Sequence, residues 1–193
     1  RNFVDTMYLD PGLLEGILRT RADLACEVLR RTLSRAPFDI LHFWEDAAFN
    51  TGPLIAPDML ETFGLPVYKR IIDTYRALGG EIVSVDSDGD ISLLLPVWLK
   101  AGVNHFWPMQ AKAGMDVVAL RREYGQAFTM RGGVAKSILF EGREAIDREL
   151  DRSRPVVLDG GYIPEIDHSI PAGVRFEDYC YYIEEKKKRF GVR

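Results

Sequence analysis

The chain has 193 residues, 47% of them hydrophobic and 28% charged, an ordinary composition with enough apolar material for one substantial core. Its formal net charge of −4 argues against a nucleic-acid partner, because phosphate binding needs a basic face. No apolar run reaches membrane-spanning length, so no membrane partner is expected. A closed α/β barrel takes about 250 residues, which makes this chain long for a small domain and short for a closed barrel. Cys26 and Cys180 fit no metal or redox spacing. Both lie in helix-like sequence, so buried free thiols and a cytoplasmic location are expected. The opening Arg1-Asn2-Phe3 has no initiator methionine and reads as the start of a fragment or processed product.

In chain order, Asp10-Pro11 predicts a helix start, an N-cap acceptor followed by proline at the first helical position. Leu13, Leu14, Ile17, Leu18, Leu24, Val28 and Leu29 continue it at helical spacing to about Leu33. The run Phe38 to Trp44, between Pro37 and Glu45-Asp46, reads as a strand. Pro57 opens a helix interrupted at Gly64 and Pro66 and stopped by Gly79-Gly80. Glu81 to Val85 is a second strand, Leu93 to Lys100 a helix, and Val103 to Trp107 a third strand. Asp116 to Tyr124 reads as a helix and Ala127 to Arg131 as a fourth strand. Helical stretches follow at Lys136 to Phe140 and Arg143 to about Arg152, then a very short fifth strand, Tyr162-Ile163. Glu177 to Arg189 closes as a helix, whose run Glu184 to Arg189 reads as a solvated last turn with cations complementing the helix dipole.

About five β/α alternations imply a parallel sheet covered by helices, since parallel neighbours need crossover connections. No dinucleotide fingerprint follows any strand, which disfavours a Rossmann fold. The alternation alone leaves an open sheet and part of a barrel both possible.

Working groups in parallel α/β folds gather at the carboxyl ends of the strands. Those ends bring Glu45 and Asp46; Asp86, Asp88 and Asp90; Pro108, Met109 and Gln110; Arg131; and Glu165, Asp167 and His168. Alternate acidic residues on the turn Asp86 to Asp90 can converge on a divalent cation or divide acid and base duties. Against that, Asp90 fits as the cap of the following helix and Asp88-Gly89 as turn chemistry. His168, in a Gly/Pro-rich loop, can act as acid, base or metal ligand. His42 and His105, inside and at the start of a strand, are expected as core or packing histidines, and the three tryptophans in the core.

The ordered series Asp86-Ser87-Asp88-Gly89-Asp90, Leu94-Leu95-Pro96, Ala101-Gly102-Val103-Asn104, Gly114-Met115-Asp116, Leu120-Arg121, Tyr124-Gly125, Gly132-Gly133, Gly160-Gly161-Tyr162 and Asp167-His168 resembles the C-terminal half of uroporphyrinogen decarboxylase-like proteins, a superfamily that includes the corrinoid-linked methyltransferases. Trp44-Glu45-Asp46 and Gly52 to Pro57 resemble the segment one strand earlier. The resemblance covers most of the chain from about Phe38. It implies the C-terminal part, about five β/α units, of a (β/α)₈ TIM barrel, a single partial domain over 1–193 without the N-terminal part of the barrel.

In the methyltransferase branch, zinc held by a His-x-Cys pair and a distant Cys activates a thiol. The matching positions here are Asp86, Asp88 and the neighbourhood of Gly160-Gly161, so a harder cation on carboxylates, or zinc with oxygen and nitrogen ligands, stays open. In the decarboxylase branch the C-terminal histidine corresponds to His168, and the arginines that bind a polycarboxylate come from the N-terminal half. The expected function is a family protein related to corrinoid-dependent methyltransferases, acting on a small methylated substrate with a corrinoid protein as partner. The alternatives are uroporphyrinogen decarboxylase, a carboxy-lyase of porphyrin biosynthesis, and a truncated non-catalytic chain that assembles as a homo-oligomer. The expected site has His168 and Asp86 as catalytic groups, Asp46, Arg131 and Gln110 around the substrate, and Asp86, Asp88 and His168 as ligands of a divalent metal.

Overall fold

The computed structural model describes residues 3–191; Arg1 and Asn2, on which the fragment reading partly rests, lie outside them. Two helices, α1 (Phe3–Leu9) and α2 (Pro11–Leu33), precede strand β1 (Ile40–Trp44). A small antiparallel hairpin of β2 (Ala48–Phe49) and β3 (Gly52–Pro53) follows. Next come α3 (Pro57–Met59), a π-helical turn over Leu60–Gly64, and α4 (Leu65–Ala77). The remaining order is β4 (Ile82–Asp86), α5 (Leu95–Ala101), β5 (His105–Trp107), α6 (Val117–Tyr124), β6 (Thr129–Val134), α7 (Arg143–Asp159), β7 (Tyr162–Ile166) and α8 (Phe176–Phe190). The five long strands form one parallel sheet in the order β1-β4-β5-β6-β7. This is an α/β fold of helix-flanked parallel strands, as in part of a (β/α) barrel.

Local chemistry explains most boundaries. The Asp10 carboxylate accepts from the Leu13 N–H at 3.2 Å, and Pro11 occupies the first turn of α2, where its missing donor costs nothing. Asp116 lies outside α6 as its cap, accepting from the Val118 N–H at 2.8 Å. The π turn falls where Pro66 has no N–H to continue the ordinary ladder. Helix α7 runs through Pro155 to Asp159, past the expected end near Arg152, because its buried stripe continues through Ser153 and Val156. At the end of α8, Lys187 and Lys188 are solvated as expected, whereas Arg189 pairs with Asp147 and Lys186 reaches the Pro164 carbonyl.

The sheet has two unlike faces. Val83, Val85, Phe106 and Met130 point to the helices and are buried with Ile72, Tyr75, Trp98 and Leu120. A second cluster joins Val134, Ile146, Leu150, Ile166 and Tyr182 beneath α7 and α8. The alternate residues, beginning Ile40, His42 and Trp44 on β1, line the other face. Trp44 is 78% exposed and Ile163 on β7 is 58% exposed. Two sequence expectations fail there: Trp44 and Trp107 are on the open face and not in the core, because strand parity pairs them with the strand-end residues and not with the helix layer, and His42 and His105 pack on that same face. Cys26 is buried, but Cys180 is only half-buried.

Candidate active site

Register across the sheet puts one row of side chains at the strand ends. Trp44 lies beside Asp86, and Asp86 beside Trp107. Arg131 pairs in register with Ile163, and Gly133 with Glu165. Strand β6 extends beyond the expected Arg131 to Val134, and β7 extends to Ile166, so Arg131 and Glu165 are anchored within strands. The glycine pair after Arg131 belongs to that strand too. Gly132 has φ +97, and a Cβ there would overlap the Pro108 carbonyl oxygen, which also accepts from the Gly133 N–H at 3.1 Å. The pair therefore serves close backbone approach.

The turn after β4 is held from two sides. Ser87 Oγ accepts from the Ala47 N–H at 2.9 Å, and the Asp90 N–H donates to the Phe49 carbonyl at 2.8 Å. Gly89 has φ +88, and a Cβ there would come within 2.6 Å of the Ala48 and Phe49 carbonyl oxygens. Its N–H donates to Gln110 Oε1 at 2.7 Å, while Gln110 Nε2 donates to Asn50 Oδ1 at 3.0 Å. Gln110 is thus a strut joining three loops, with both ends of its amide engaged. Asp90 accepts from the Ser92 N–H at 3.0 Å, closing a local turn ahead of α5 instead of capping that helix, which starts at Leu95.

His168 sits between two carboxylates. Its Nε2 is 3.3 Å from Asp88 Oδ1, and its Nδ1 is 3.4 Å from Asp167 Oδ1. The second contact is electrostatic, since Nδ1 has no aligned hydrogen-bond partner among the described residues. Asp167 is buried and fixed by the N–H groups of Ala111 and Lys136, at 3.2 and 3.1 Å. Asp88, by contrast, is half exposed.

Asp86 faces a different imidazole. Its Oδ2 lies 3.6 Å from His42 Nε2. Burial raises the Asp86 pKa above the usual carboxylate value, and the charges of Asp88 and Asp46 add to the rise while His42 opposes it. His105 is held down at about 4, by burial first and then by Arg131 and His42. Asp46 stands in the left-handed region at φ +44 and accepts from the Trp44 indole N–H at 3.1 Å. Glu45, expected on the rim, is turned behind the sheet towards Tyr68, and burial raises its pKa.

The structure therefore brings Asp88 to His168 and leaves Asp86 with His42. Among the described residues no three His, Cys, Asp or Glu side chains converge as a metal-binding group. His42 and Trp107 were missed as site residues in the sequence. Their signal was parity with Trp44 and with the strand ends, which becomes readable only once the helix-covered face is known.

A sequence model of the family described as uroporphyrinogen decarboxylase matches residues 1–188. Similar proteins include the chloroplastic uroporphyrinogen decarboxylase of Zea mays, 25% identical over 148 residues, covering 72% of this chain and 34% of that protein. The uroporphyrinogen decarboxylase of Hordeum vulgare is 24% identical over 148 residues, covering 72% of this chain and 40% of its own. The chain thus spans well under half the length of these relatives. Among solved structures, a methyltransferase from Methanosarcina mazei superposes with a TM-score of 0.68 at 14% identity, over 96% of this chain and 52% of that one. That likeness carries the fold alone. No helix among the described residues is long and apolar enough to cross a membrane.

Proposed function

Because the chain belongs to the uroporphyrinogen decarboxylase family, we propose that its strand-end rim is the proton-transfer part of a carboxy-lyase site. The observation that carries this reading is His168 set between Asp88 and the buried, backbone-anchored Asp167. In a decarboxylation the bond to the carboxylate carbon breaks, CO₂ leaves, and the electron pair left on carbon takes up a proton. A positioned imidazole is suited to deliver that proton. The buried Asp167 carboxylate stands against one ring nitrogen, and the half-exposed Asp88 joins the other to the solvent side of the rim. Asp86, whose burial favours its neutral form, is the second acid. Asp46 and Arg131 face the substrate, and Gln110 holds the loops around it.

The rim is rich in carboxylates, and like charges in a cleft oppose a polyanion. A substrate with few carboxylates suits it better than one with many. Expected behaviour is CO₂ release from a pyrrole bearing acetate side chains, faster than from uroporphyrinogen. His168→Gln should cut that rate roughly a hundredfold or more, the range for loss of a general acid, with an unchanged circular dichroism spectrum. Equal rates in both proteins, or methyl transfer without CO₂ release, would overturn the reading.

Methyl transfer from a corrinoid protein to or from a small substrate is the second reading, supported by Asp86 and Asp88 standing at the metal-ligand positions of the methyltransferase branch. Among the described residues Asp86 faces His42 while Asp88 faces His168, so the two aspartates do not converge as one ligand set.

A further inference from the structure

We propose that Arg131, Trp107 and Glu165 form a carboxylate-anchoring subsite in which Glu165 is a resident carboxylate that the ligand displaces. The Arg131 guanidinium lies over the Trp107 ring, 4.8 Å from its centroid. It meets Glu165 as a fork, with Nε on one carboxylate oxygen and Nη2 3.1 Å from the other. This two-bond geometry is the way arginine recognises carboxylates in general.

Three features make it a receptor and not only a brace. Both partners are about two-fifths exposed, 42% for Arg131 and 39% for Glu165, so the pair is open to solvent on the face that carries the other rim groups. A pair this exposed is screened by solvent and salt, so an incoming carboxylate can compete with Glu165 for the guanidinium. The indole under the guanidinium holds its plane when Glu165 leaves. His42 packs against the same indole, ring centres 6.2 Å apart, and stands beside Asp86. A ligand anchored on Arg131 therefore reaches towards the acid groups of the rim.

The ligand class is a small aromatic or heteroaromatic carboxylate, its carboxylate on the fork and its ring on the open face between Trp107 and Ile163. As substrate anchor this rests on the carboxy-lyase reading, and it adds a constraint. A carboxylate ion-paired to arginine is stabilised where it is, so the anchored group is not the one that leaves. The substrate then carries at least two carboxylates, one held and one lost.

Binding is tested without turnover, by titrating the full chain with benzoate and with pyrrole-2-carboxylate while following tryptophan fluorescence and calorimetric heat. Glu165→Gln should tighten binding about fivefold, the scale on which exposed ion pairs act. Arg131→Gln should weaken it at least about tenfold, with Arg131→Lys intermediate because one point charge replaces the fork. Thermal unfolding checks that each variant folds. Unchanged affinity in Arg131→Gln, or unchanged or weaker affinity in Glu165→Gln, overturns the proposal. If binding behaves as stated while no CO₂ is released from any pyrrole acetate, the anchor stands and the carboxy-lyase reading falls.

Discussion

At the scale of single residues, His105 shows how position alone sets chemistry. Its Nδ1 is 2.7 Å from Thr129 Oγ1, and burial first, then Arg131 and His42 nearby, hold its pKa at about 4, against 6.5 for an ordinary histidine. Between those values the unfolded chain binds the extra proton and the folded chain does not, so stability rises with pH across that interval. The penalty on the protonated imidazole is absent above 6.5 and complete below 4. Asp86, with its pKa raised, slopes the other way, which makes the histidine's contribution separable only by substitution. His105→Gln is expected to flatten the rise of melting temperature between pH 4 and 6.5. An unchanged slope in that variant would place the pH dependence on another group. His105 is a packing histidine, largely shielded but on the open face, beside Arg131.

At the scale of elements, the strands were legible because short apolar runs between turn residues have few other solutions. Their ends were not. Val103 and Asn104 read as strand but lie before β5, and β7 is longer than the two residues expected. A strand ends where its neighbour stops offering ladder partners, and that depends on register. The middle strand carries the core. Phe106 is fully buried, edge-on to Phe128 at 5.1 Å and tilted against Trp98 at 6.1 Å. Phe106→Ala should cost about 3–5 kcal/mol, the range for emptying a buried aromatic site, read as a lower urea midpoint with an unchanged slope. A loss below 1 kcal/mol, on the order of a surface substitution, would mean the core closes over the gap.

At the scale of the whole molecule, the parallel sheet is covered on one side only among the described residues. Parallel sheets are ordinarily buried on both faces, and here Ile40, Trp44 and Ile163 stand exposed on the open one. Among the described residues the two outer strands, β1 and β7, also have no further strand beside them, although Pro164 and the Lys186 contact to its carbonyl blunt the second edge. The 193-residue chain is therefore expected to self-associate. Sedimentation velocity over a concentration series should show a growing dimer fraction, and Trp44→Lys should shift it towards monomer. A single monomeric species at every concentration would contradict this.

The sequence by itself determined the alternation of strands and helices, the family, and the end of the sheet at which Asp86, Asp88, Arg131 and His168 gather. Those follow from hydrophobic periodicity and from ordered motifs, which are local properties. Only the tertiary structure decided the pairings: Asp88 with His168, Asp86 with His42, Arg131 with Glu165, and Glu45 turned away behind the sheet. Each joins residues on different strands or layers, so each depends on register and on which face the helices cover. Neither is written in the spacing of residues along one strand.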